Sequence, residues 1–190
     1  MRKKILIGMS LLLIVGLLAG CGGVKQADYD AAKAQVTSLQ SQVNAANAVK
    51  AKADANKALL QQFEDQVINA HNPNAMDNLV TANFKRYPSA TVTLTLEQAK
   101  QRLAGLFAAF PDVHMNVENV IAEGDFVAAR NTETGTQQGA FQGIPATGKQ
   151  ITVVDFVVMR IENGKIAEHW GGGDALSMLQ QIGAVISAPK

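Results

Sequence analysis

The stretch Lys149–Trp170, KQITVVDFVVMRIENGKIAEHW, decides the class of fold. Its first half is apolar on both alternating faces, which predicts a long β-strand that is covered on both sides. Glu162–Gly164 (ENG) predicts the tight turn of a hairpin, and KIAEHW predicts the returning strand. Upstream, VHMNVENVIA (113–122), FVAARNTETG (126–135) and the shorter QQGAFQG (137–143) also favour strands. The C-terminal half is therefore expected to be a run of antiparallel strands.

The segments before these strands have the periodicity of helices. NKALLQQFEDQVINA (56–70) has one apolar face, AMDNLV (75–80) predicts a short second helix, and TLEQAKQRLAGLFAAF (95–110) predicts a third with Thr95 as its N-cap. Asp174 is expected to cap a last helix after the strands. Helices followed by antiparallel strands indicate an α+β fold, in which a curved sheet wraps around the helices and encloses a pocket.

Residues 1–20 have the pattern of a targeting signal. Arg2, Lys3 and Lys4 precede an apolar run, as in a secretory signal peptide. The run ends in LAGC (18–21), which resembles a bacterial lipobox and implies cleavage before Cys21 and lipidation of that cysteine. We therefore expect the chain to be lipid-anchored in the cell envelope, outside the cytoplasmic membrane. An uncleaved membrane anchor with an incidental cysteine is the alternative.

The remaining chain is predicted to consist of a linker and a domain. Residues 21–55 are rich in Ala, Gln, Asn and Lys, a composition that favours a helical stalk. Residues 56–190 have the pattern of a globular domain. Val36, Leu39 and Val43 follow the spacing of a coiled-coil seam, but two heptads do not decide between a simple stalk and a short oligomerising coil.

Composition argues against several kinds of site. Cys21 is the only cysteine, so its lipidation leaves no thiol for a disulfide, a metal site or a nucleophile. The three histidines are dispersed and lack ligand spacing, so no metal is expected. After removal of the signal peptide, 14 basic residues stand against 16 acidic ones without a basic block, so no nucleic-acid partner is expected.

Four blocks, in this order, carry a family resemblance: FPDVHMNVENVIAEGDFVAAR, TGTQQGAFQGIPATGKQI, MRIENGKIAEHW and DALSMLQQIG. The region Asn56–Gly183 resembles the SnoaL-like polyketide cyclase (ester cyclase) family of the NTF2-like superfamily. The resemblance implies a cone-shaped α+β barrel around a mostly apolar pocket. It also implies an aspartate acid/base that closes polyketide rings by aldol condensation, without a metal or other cofactor.

Three positions depart from the family pattern. The family's catalytic aspartate falls directly after the position of Trp170, where this chain has Gly171. A pocket histidine of the family falls at Val157, and the histidine of its GTHxG pattern falls at Gln137. The resemblance therefore implies the scaffold more firmly than it implies the chemistry.

Asp155 and His114 are the candidate catalytic residues. In ITVVDFVVMRI, Asp155 shares a face with apolar side chains that include Val157, so it is expected to line the pocket, where desolvation raises the pKa of a carboxylate. It either acts as a base or pairs with a neighbouring Arg or Thr. His114 shares a face with other polar residues of its strand, so it either meets solvent or reaches the pocket at the end of the sheet.

The candidates for substrate binding are Tyr87, Arg130, Gln137, Met159 and Trp170. Arg130 either holds a substrate carboxylate or pairs with Glu133 or Asp155. Trp170 is expected in the pocket wall, because indole offers bulk and one N–H donor. His169 is on the opposite face of the strand and is expected to point outward or into a subunit interface.

Two functions are compatible with these patterns. The first is a cyclase-like or isomerase-like acid/base enzyme. The second is a non-catalytic lipoprotein that binds an apolar small molecule or docks a protein partner; anchoring outside the cytoplasmic membrane fits poorly with polyketide biosynthesis, which uses cytoplasmic substrates. In either case Val154, Phe156 and Val158 make the second face of the long strand apolar, so a homodimer through the sheet is expected.

Overall fold

The computed structural model describes residues 25–184. The predicted signal peptide and Cys21 lie outside the described residues. Two compact units divide between Ala48 and Val49, whereas the predicted domain boundary at residue 55 falls within a helix. Between residues 25 and 184, no helix is both long enough and apolar enough to cross a membrane.

The helices occupy the positions that the apolar periodicity predicts. Helix α1 spans Gln26–Phe63, and Val36, Leu39 and Val43 are exposed on it. A π-helical segment, Glu64–Asn69, follows directly, and a 3₁₀ turn at Pro73–Ala75 leads into the short helix α2, Met76–Leu79. Helix α3 spans Leu96–Ala109, and helix α4 spans Ala175–Gln181.

Both predicted helix caps are confirmed. Thr95 begins α3 with a capping box, in which its hydroxyl accepts from the Gln98 N–H and the Gln98 side chain accepts from the Thr95 N–H at 2.9 Å. Asp174 begins α4, where its carboxylate accepts from the Ser177 N–H at 2.9 Å. Asp174 is thus committed to the fold, and its side chain is not available as a substitute acid/base group.

The described residues form one six-stranded sheet with the order β2-β1-β6-β5-β4-β3. The strands are β1 Val80–Ser89, β2 Val92–Leu94, β3 His114–Glu123, β4 Phe126–Thr136, β5 Gln150–Glu162 and β6 Lys165–Gly173. All neighbours are antiparallel except β1 and β6, which are parallel. The α+β fold class is therefore confirmed, with β1 and β2 as strands that the sequence pattern does not predict.

The expected strand at 137–143 is wrong. Instead, the N–H groups of Gln138 and Gly139 donate to the Ala109 carbonyl, at the end of α3, with distances of 2.8 and 3.0 Å. A Cβ on Gly139 would lie 2.4 Å from the Ala108 carbonyl oxygen, so only glycine allows this close approach to the helix. Because these donors are used on the helix end, the segment forms a loop with a single bridge, Phe141 to Ile144.

The inner face of the sheet packs on the helices. Alternate residues of β4 and β5 are buried there, together with apolar residues of the helical segments that precede the sheet: Leu60, Phe63, Val67, Val127, Ala129, Val157 and Met159. The Asn69 side chain joins the π-helical segment to β3, because it accepts from the Met115 N–H at 2.8 Å and donates to the Met115 carbonyl at 3.1 Å. This bracket fixes the end of the helix over the sheet, which positions the site described next.

Candidate active site

A cavity of about 420 Å³ lies between the inner face of the sheet and the helices. Part of its wall is apolar and consists of Phe63, Ile68, Leu103, Leu106, Met115, Phe141 and Met178. The rest carries six ionisable side chains: the exposed Arg102, and five that we call the charged cluster, namely Glu64, Arg86, Glu133, Asp155 and His169. The cavity is thus more polar than the expected family pocket.

Two carboxylates of the charged cluster come from adjacent strands. Glu133 on β4 and Asp155 on β5 both face inward, because each lies two residues from buried residues of its strand and so shares their face. A Cβ on Gly173 of β6 would lie 3.7 Å from Asp155 Oδ1 and 3.8 Å from Glu133 Oε2. The two carboxylates therefore approach the same spot in the cavity, beside a glycine that leaves this spot open.

The third carboxylate, Glu64, comes from the helix. It is 3% exposed and is the first residue of the π-helical segment, one position after the buried Phe63. Segments of π-helix change the facing of side chains within a helix and often occur at functional sites. Here the segment begins at the one point where the helix presents a charged group to the cavity.

Arg86 and His169 are paired across the parallel strands β1 and β6. Arg86 Nη1 lies 3.4 Å from His169 Nδ1, and the His169 ring packs edge-on against Phe63 with centroids 5.5 Å apart. Among the described residues, no carboxylate comes within 4 Å of the Arg86 guanidinium, and its buried Nε has no hydrogen-bond partner. The cation thus stands in the charged cluster without a direct ion pair.

Burial raises the pKa of all three carboxylates. Desolvation, with the charge of Asp155 adding to it, raises the pKa of Glu64 to about 8 and that of Glu133 to about 7, and Arg86 opposes both shifts. Desolvation also raises the pKa of Asp155 against the opposing effect of Arg86. Carboxyl groups that titrate near neutral pH can both accept and return a proton.

The same burial acts in the opposite direction on the bases. Desolvation, followed by repulsion from Arg86, lowers the pKa of His169 well below its usual 6.5. Desolvation also lowers the pKa of Arg86, although a guanidinium stays protonated at neutral pH. At neutral pH the charged cluster therefore contains the Arg86 cation, a neutral imidazole and two carboxyl groups, Glu64 and Glu133, that are only partly ionised.

Of the residues predicted from the sequence, Asp155 lines the cavity and the others do not. His114 is exposed at the start of β3, so the solvent-facing alternative is the observed one. Arg130 pairs with Glu118 of β3, and not with Glu133 or Asp155. Met159 is buried in the core, away from the cavity wall.

The other predicted binding residues have structural contacts. The buried Gln137 side chain donates to the Ile144 and Pro145 carbonyls at 3.3 and 3.2 Å, and it accepts from the Thr147 hydroxyl at 2.6 Å, which holds the loop after β4. Tyr87 stacks on Trp170 with ring centroids 5.4 Å apart on the outer side of the sheet. Neither ring lines the cavity.

The expected facing of His169 and Trp170 is wrong for a local reason. Ile161 pairs with Ile166, but Arg160 pairs with Glu168, so Ala167 is an extra residue in β6. This β-bulge shifts the alternation by one residue, which turns His169 inward and Trp170 outward. If side chains alternated without interruption along β6, Trp170 would point inward and His169 outward.

Glu64, Glu133 and Arg86 are cavity residues that the sequence pattern does not assign. Glu133 could have been found, because it continues the alternating set of Val127 and Ala129 on β4. Glu64 carries a weaker signal, since it lies four residues after the buried Leu60. Arg86 lies on β1, a strand that the sequence does not predict, so nothing in the pattern indicates its direction.

Gly171 lines the cavity at the position where the resemblance places an aspartate. A Cβ there would lie 2.7 Å from the Phe156 carbonyl oxygen and 3.1 Å from the Val157 Cα. These are backbone atoms of β5, so strand β5 would have to move to accept any side chain at Gly171. The fold of this chain is therefore adapted to glycine at the family's catalytic position.

Residues 25–184 contain no group of three or more His, Asp or Glu side chains arranged to hold a metal ion. Residues 58–182 match the model of a family described as SnoaL-like polyketide cyclase. No curated protein matches the sequence.

Three solved structures illustrate what the chain is similar to. One, assigned as a SnoaL-like polyketide cyclase from Jannaschia sp. CCS1, has 27% identity and a TM-score of 0.65, with 70% of this chain and 95% of that chain covered. AclR from Streptomyces galilaeus, assigned as a hydroxylase, has 26% identity and a TM-score of 0.63, with 69% and 97% covered. TsrD from Streptomyces laurentii has 26% identity and a TM-score of 0.62, with 70% and 97% covered.

The raised pKa of Glu64 predicts a pH-dependent loss of stability. Folding raises this pKa from 4.5 to about 8, so the native state retains the proton and stability falls as pH rises across that interval. His169 has the opposite effect, but only below its unfolded pKa of 6.5. Between pH 6.5 and 9 the free energy of unfolding of the wild type should therefore fall with pH. In Glu64→Gln this fall should be smaller by on the order of 2 kcal/mol.

Urea denaturation at several pH values measures this effect. Glu123→Gln, which changes an exposed carboxylate of β3, is the matched control and should follow the wild-type curve. If Glu64→Gln and the wild type lose stability in parallel above pH 6.5, Glu64 is not the group responsible.

Proposed function

The chain belongs to the SnoaL-like polyketide cyclase family, and on this premise we propose that its domain is an acid/base catalyst that acts on small carbonyl compounds. The observation that carries the proposal is the convergence of Glu133 and Asp155 on one open spot beside Gly173. Burial raises the pKa of both, and that of Glu133, raised to about 7, suits proton transfer at neutral pH. In this proposal the acid/base groups are Glu133 and Asp155, on two neighbouring strands, and not a residue at the family position, Gly171.

The proposed step is the removal of a proton from carbon. One carboxylate, Glu133 or Asp155, takes a proton from the C–H next to the substrate carbonyl. The electrons of the C–H bond form a C=C bond, and the carbonyl π electrons move to oxygen to give an enolate. Return of the proton to another carbon isomerises the substrate. Attack of the enolate carbon on a second carbonyl closes a ring, and the new alkoxide takes the proton from the carboxylic acid.

Geometry supports the place of this step. A carbon atom at the spot that Gly173 leaves open would lie within 4 Å of both carboxylate oxygens. Reacting groups held at such distances have lost most of the entropy that a collision in solution would cost. The apolar part of the wall would hold the rest of the ligand, which we propose to be a mainly apolar molecule with at least one carbonyl group.

A non-catalytic binding function is the second candidate. The observation that favours it is Gly171, since the close approach of β5 at this position excludes the family's usual side chain. In that case the cavity would retain a small molecule without turning it over, or the sheet would dock a protein partner. The experiment below separates the two functions.

Deuterium exchange at carbon tests the enzymatic function without knowledge of the natural substrate. Cyclohexanone, acetophenone and methyl acetoacetate, incubated in D₂O with the chain, should gain deuterium next to the carbonyl faster than without protein. Of Asp155→Asn and Glu133→Gln, the one that removes the proton acceptor should lower this rate by about 10²-fold or more. Glu118→Gln, a carboxylate that pairs with Arg130 outside the cavity, is the matched control. Mass spectrometry of the ketones measures the exchange.

A steric variant sharpens the same experiment. Gly173→Ala places a methyl group at the open spot, in ordinary van der Waals contact with its neighbours, so it should fold normally but slow the exchange. Gly172→Ala, whose Cβ would lie 3.6 Å from the Pro88 carbonyl oxygen, is the control. Absence of exchange with every ketone, in a chain that still binds a small molecule, would instead support the non-catalytic function.

We also propose that the chain is a lipoprotein of the cell envelope. The support is the order of basic residues, apolar run and LAGC at the only cysteine. After expression of the full chain in a bacterial host, mass spectrometry should find residues 1–20 removed and a lipid on Cys21, and the protein should be in the membrane fraction. Cys21→Ser should abolish the modification, whereas Gly23→Ala should not. A chain that keeps residues 1–20 in the wild type would contradict the proposal.

A homodimer through the sheet is proposed from the outer face of β4, β5 and β6. Phe126, Phe156 and Val158 are 47%, 60% and 38% exposed there, next to Trp170. Exposed aromatic side chains that lie together indicate an interaction surface. In sedimentation of the mature chain with Cys21→Ser, Phe156→Asp should convert a dimer to a monomer. Leu176→Asp, at an exposed apolar residue of α4, should not. A wild type that is monomeric at micromolar concentration would disprove the dimer.

A further inference from the structure

We propose that Arg86 and His169 form a binding site for an oxyanion, namely the carbonyl oxygen that becomes negative when the substrate loses its proton. This inference rests on the proposed function and deepens it, because it names the class of ligand. The ligand would be an enolisable carbonyl compound, or an anion that resembles an enolate in shape and charge, such as a phenolate.

The contact between the two side chains determines which nitrogen of His169 carries the proton. A guanidinium has only donors, so Arg86 Nη1, 3.4 Å from His169 Nδ1, requires Nδ1 to act as the acceptor. In a neutral imidazole the proton must then be on Nε2. Burial keeps the ring neutral. His169 therefore presents an N–H donor at Nε2, with no acceptor among the described residues, in a side chain that lines the cavity.

Arg86 has unused hydrogen-bonding capacity at the same place. It carries five N–H donors, and the described residues supply no partner for its Nε and no carboxylate within 4 Å of its guanidinium. Buried donors without partners cost free energy, which a ligand oxygen in the cavity would recover. Preorganised donors of this kind stabilise a negative oxygen more strongly than water does, because they need no reorganisation.

The position of Arg86 relative to the carboxylates fits this role. Its charge opposes the pKa shifts of Glu64, Glu133 and Asp155, yet it stands farther than 4 Å from each of them. Because all these side chains line one cavity, a carbonyl group bound there would direct its oxygen toward Arg86 and its acidic carbon toward the carboxylates. A direct ion pair would close this space.

The charge balance of the cavity also fits. The ketone or phenol enters neutral, and its proton moves to the carboxylate of Glu133 or Asp155. One negative charge therefore leaves a carboxylate and appears on the ligand oxygen, so the total charge of the buried cluster is unchanged. The transfer moves negative charge from the carboxylates toward Arg86 and His169, and the exposed Arg102 at the cavity wall adds positive potential.

The tautomer can be measured directly in the unmodified side chains. In the mature chain with Cys21→Ser, labelled with ¹⁵N-histidine, the His169 ring should give a protonated Nε2 and an unprotonated Nδ1 from pH 5.5 to 8. The spectrum of His169→Phe identifies the ring among the three histidines. A ring that is doubly protonated at pH 6.5, or that carries its proton on Nδ1, would overturn the inference, because it could not both accept from Arg86 and donate from Nε2.

Binding of 4-nitrophenol provides the second test, since the absorbance of this probe reports its own ionisation. At a pH at which the free phenol is mainly neutral, the wild type should bind it as the phenolate. Arg86→Met and His169→Phe should each weaken binding at least tenfold and leave the remaining bound probe neutral. The matched controls are Arg130→Met and His114→Phe, which make the same changes outside the cavity and should bind like the wild type. Circular dichroism and thermal melting establish that each variant is folded.

The outcomes for the subsite and for the enzymatic function are distinguishable. Phenolate binding that depends on Arg86 and His169, without deuterium exchange of any ketone, supports the oxyanion site and removes the catalytic proposal. Exchange that persists while the phenol binds in its neutral form, or binds equally to all variants, overturns the oxyanion site and leaves the catalytic proposal in place.

Discussion

The β-bulge at Ala167 is the constraint on which the cavity depends. Both Ile166 and Ala167 are buried, so the hairpin of β5 and β6 uses one extra residue before regular pairing resumes at Glu168. From that point the inward positions of β6 are His169, Gly171 and Gly173. Without the bulge, Glu168 and Trp170 would face the helices, and the tight packing around Phe63 could not accommodate them. The extra residue, Ala167, is thus the reason that His169, Gly171 and Gly173 line the cavity.

The electrostatics of the cavity follow from this floor and from the helix above it. The three carboxylates of the charged cluster are largely buried around one cavity with Arg86, and full ionisation would leave uncompensated negative charge in a medium of low dielectric constant. The cluster avoids this cost by retaining protons, which appears as the raised pKa values of Glu64 and Glu133. Carboxyl groups that titrate near neutral pH therefore make the folded state less stable at high pH. Strongly shifted pKa values of this kind are common at functional sites. The missing ion pair of Arg86 belongs to the same arrangement, because a salt bridge would lower the pKa of its partner.

Much of this fold could be predicted from the sequence, because apolar periodicity and caps are local. The strands β3 to β6, helix α3 with Thr95 and the cap at Asp174 all depend on nearby residues. Strand β1 could not be predicted in this way, since its exposed polar residues lack alternation and it pairs in parallel with a strand far along the chain. The inward direction of Asp155 can be predicted because β5 is regular. The charged cluster cannot be predicted in the same way, because its geometry depends on the bulge, the π-helical segment and β1. None of these three features has a regular hydrophobic period in the sequence.

The run Gly171–Gly173 has very different space around its two inward-facing positions. At Gly171 the backbone of β5 has closed to a distance that excludes any side chain, so restoring an aspartate there would require the strands to separate. Two residues further along the same inward face, Gly173 has no such contact and instead borders two carboxylates. The two carboxylates that we propose as the acid/base pair thus lie at the next inward position, on β4 and β5 instead of β6. Because a proton acceptor needs only to reach the reacting carbon, the proposed chemistry requires the substrate to bind two residues further along the strand than the family position. The inward-facing glycines are therefore as informative about function as the charged residues, since they mark where a ligand can come close to the sheet.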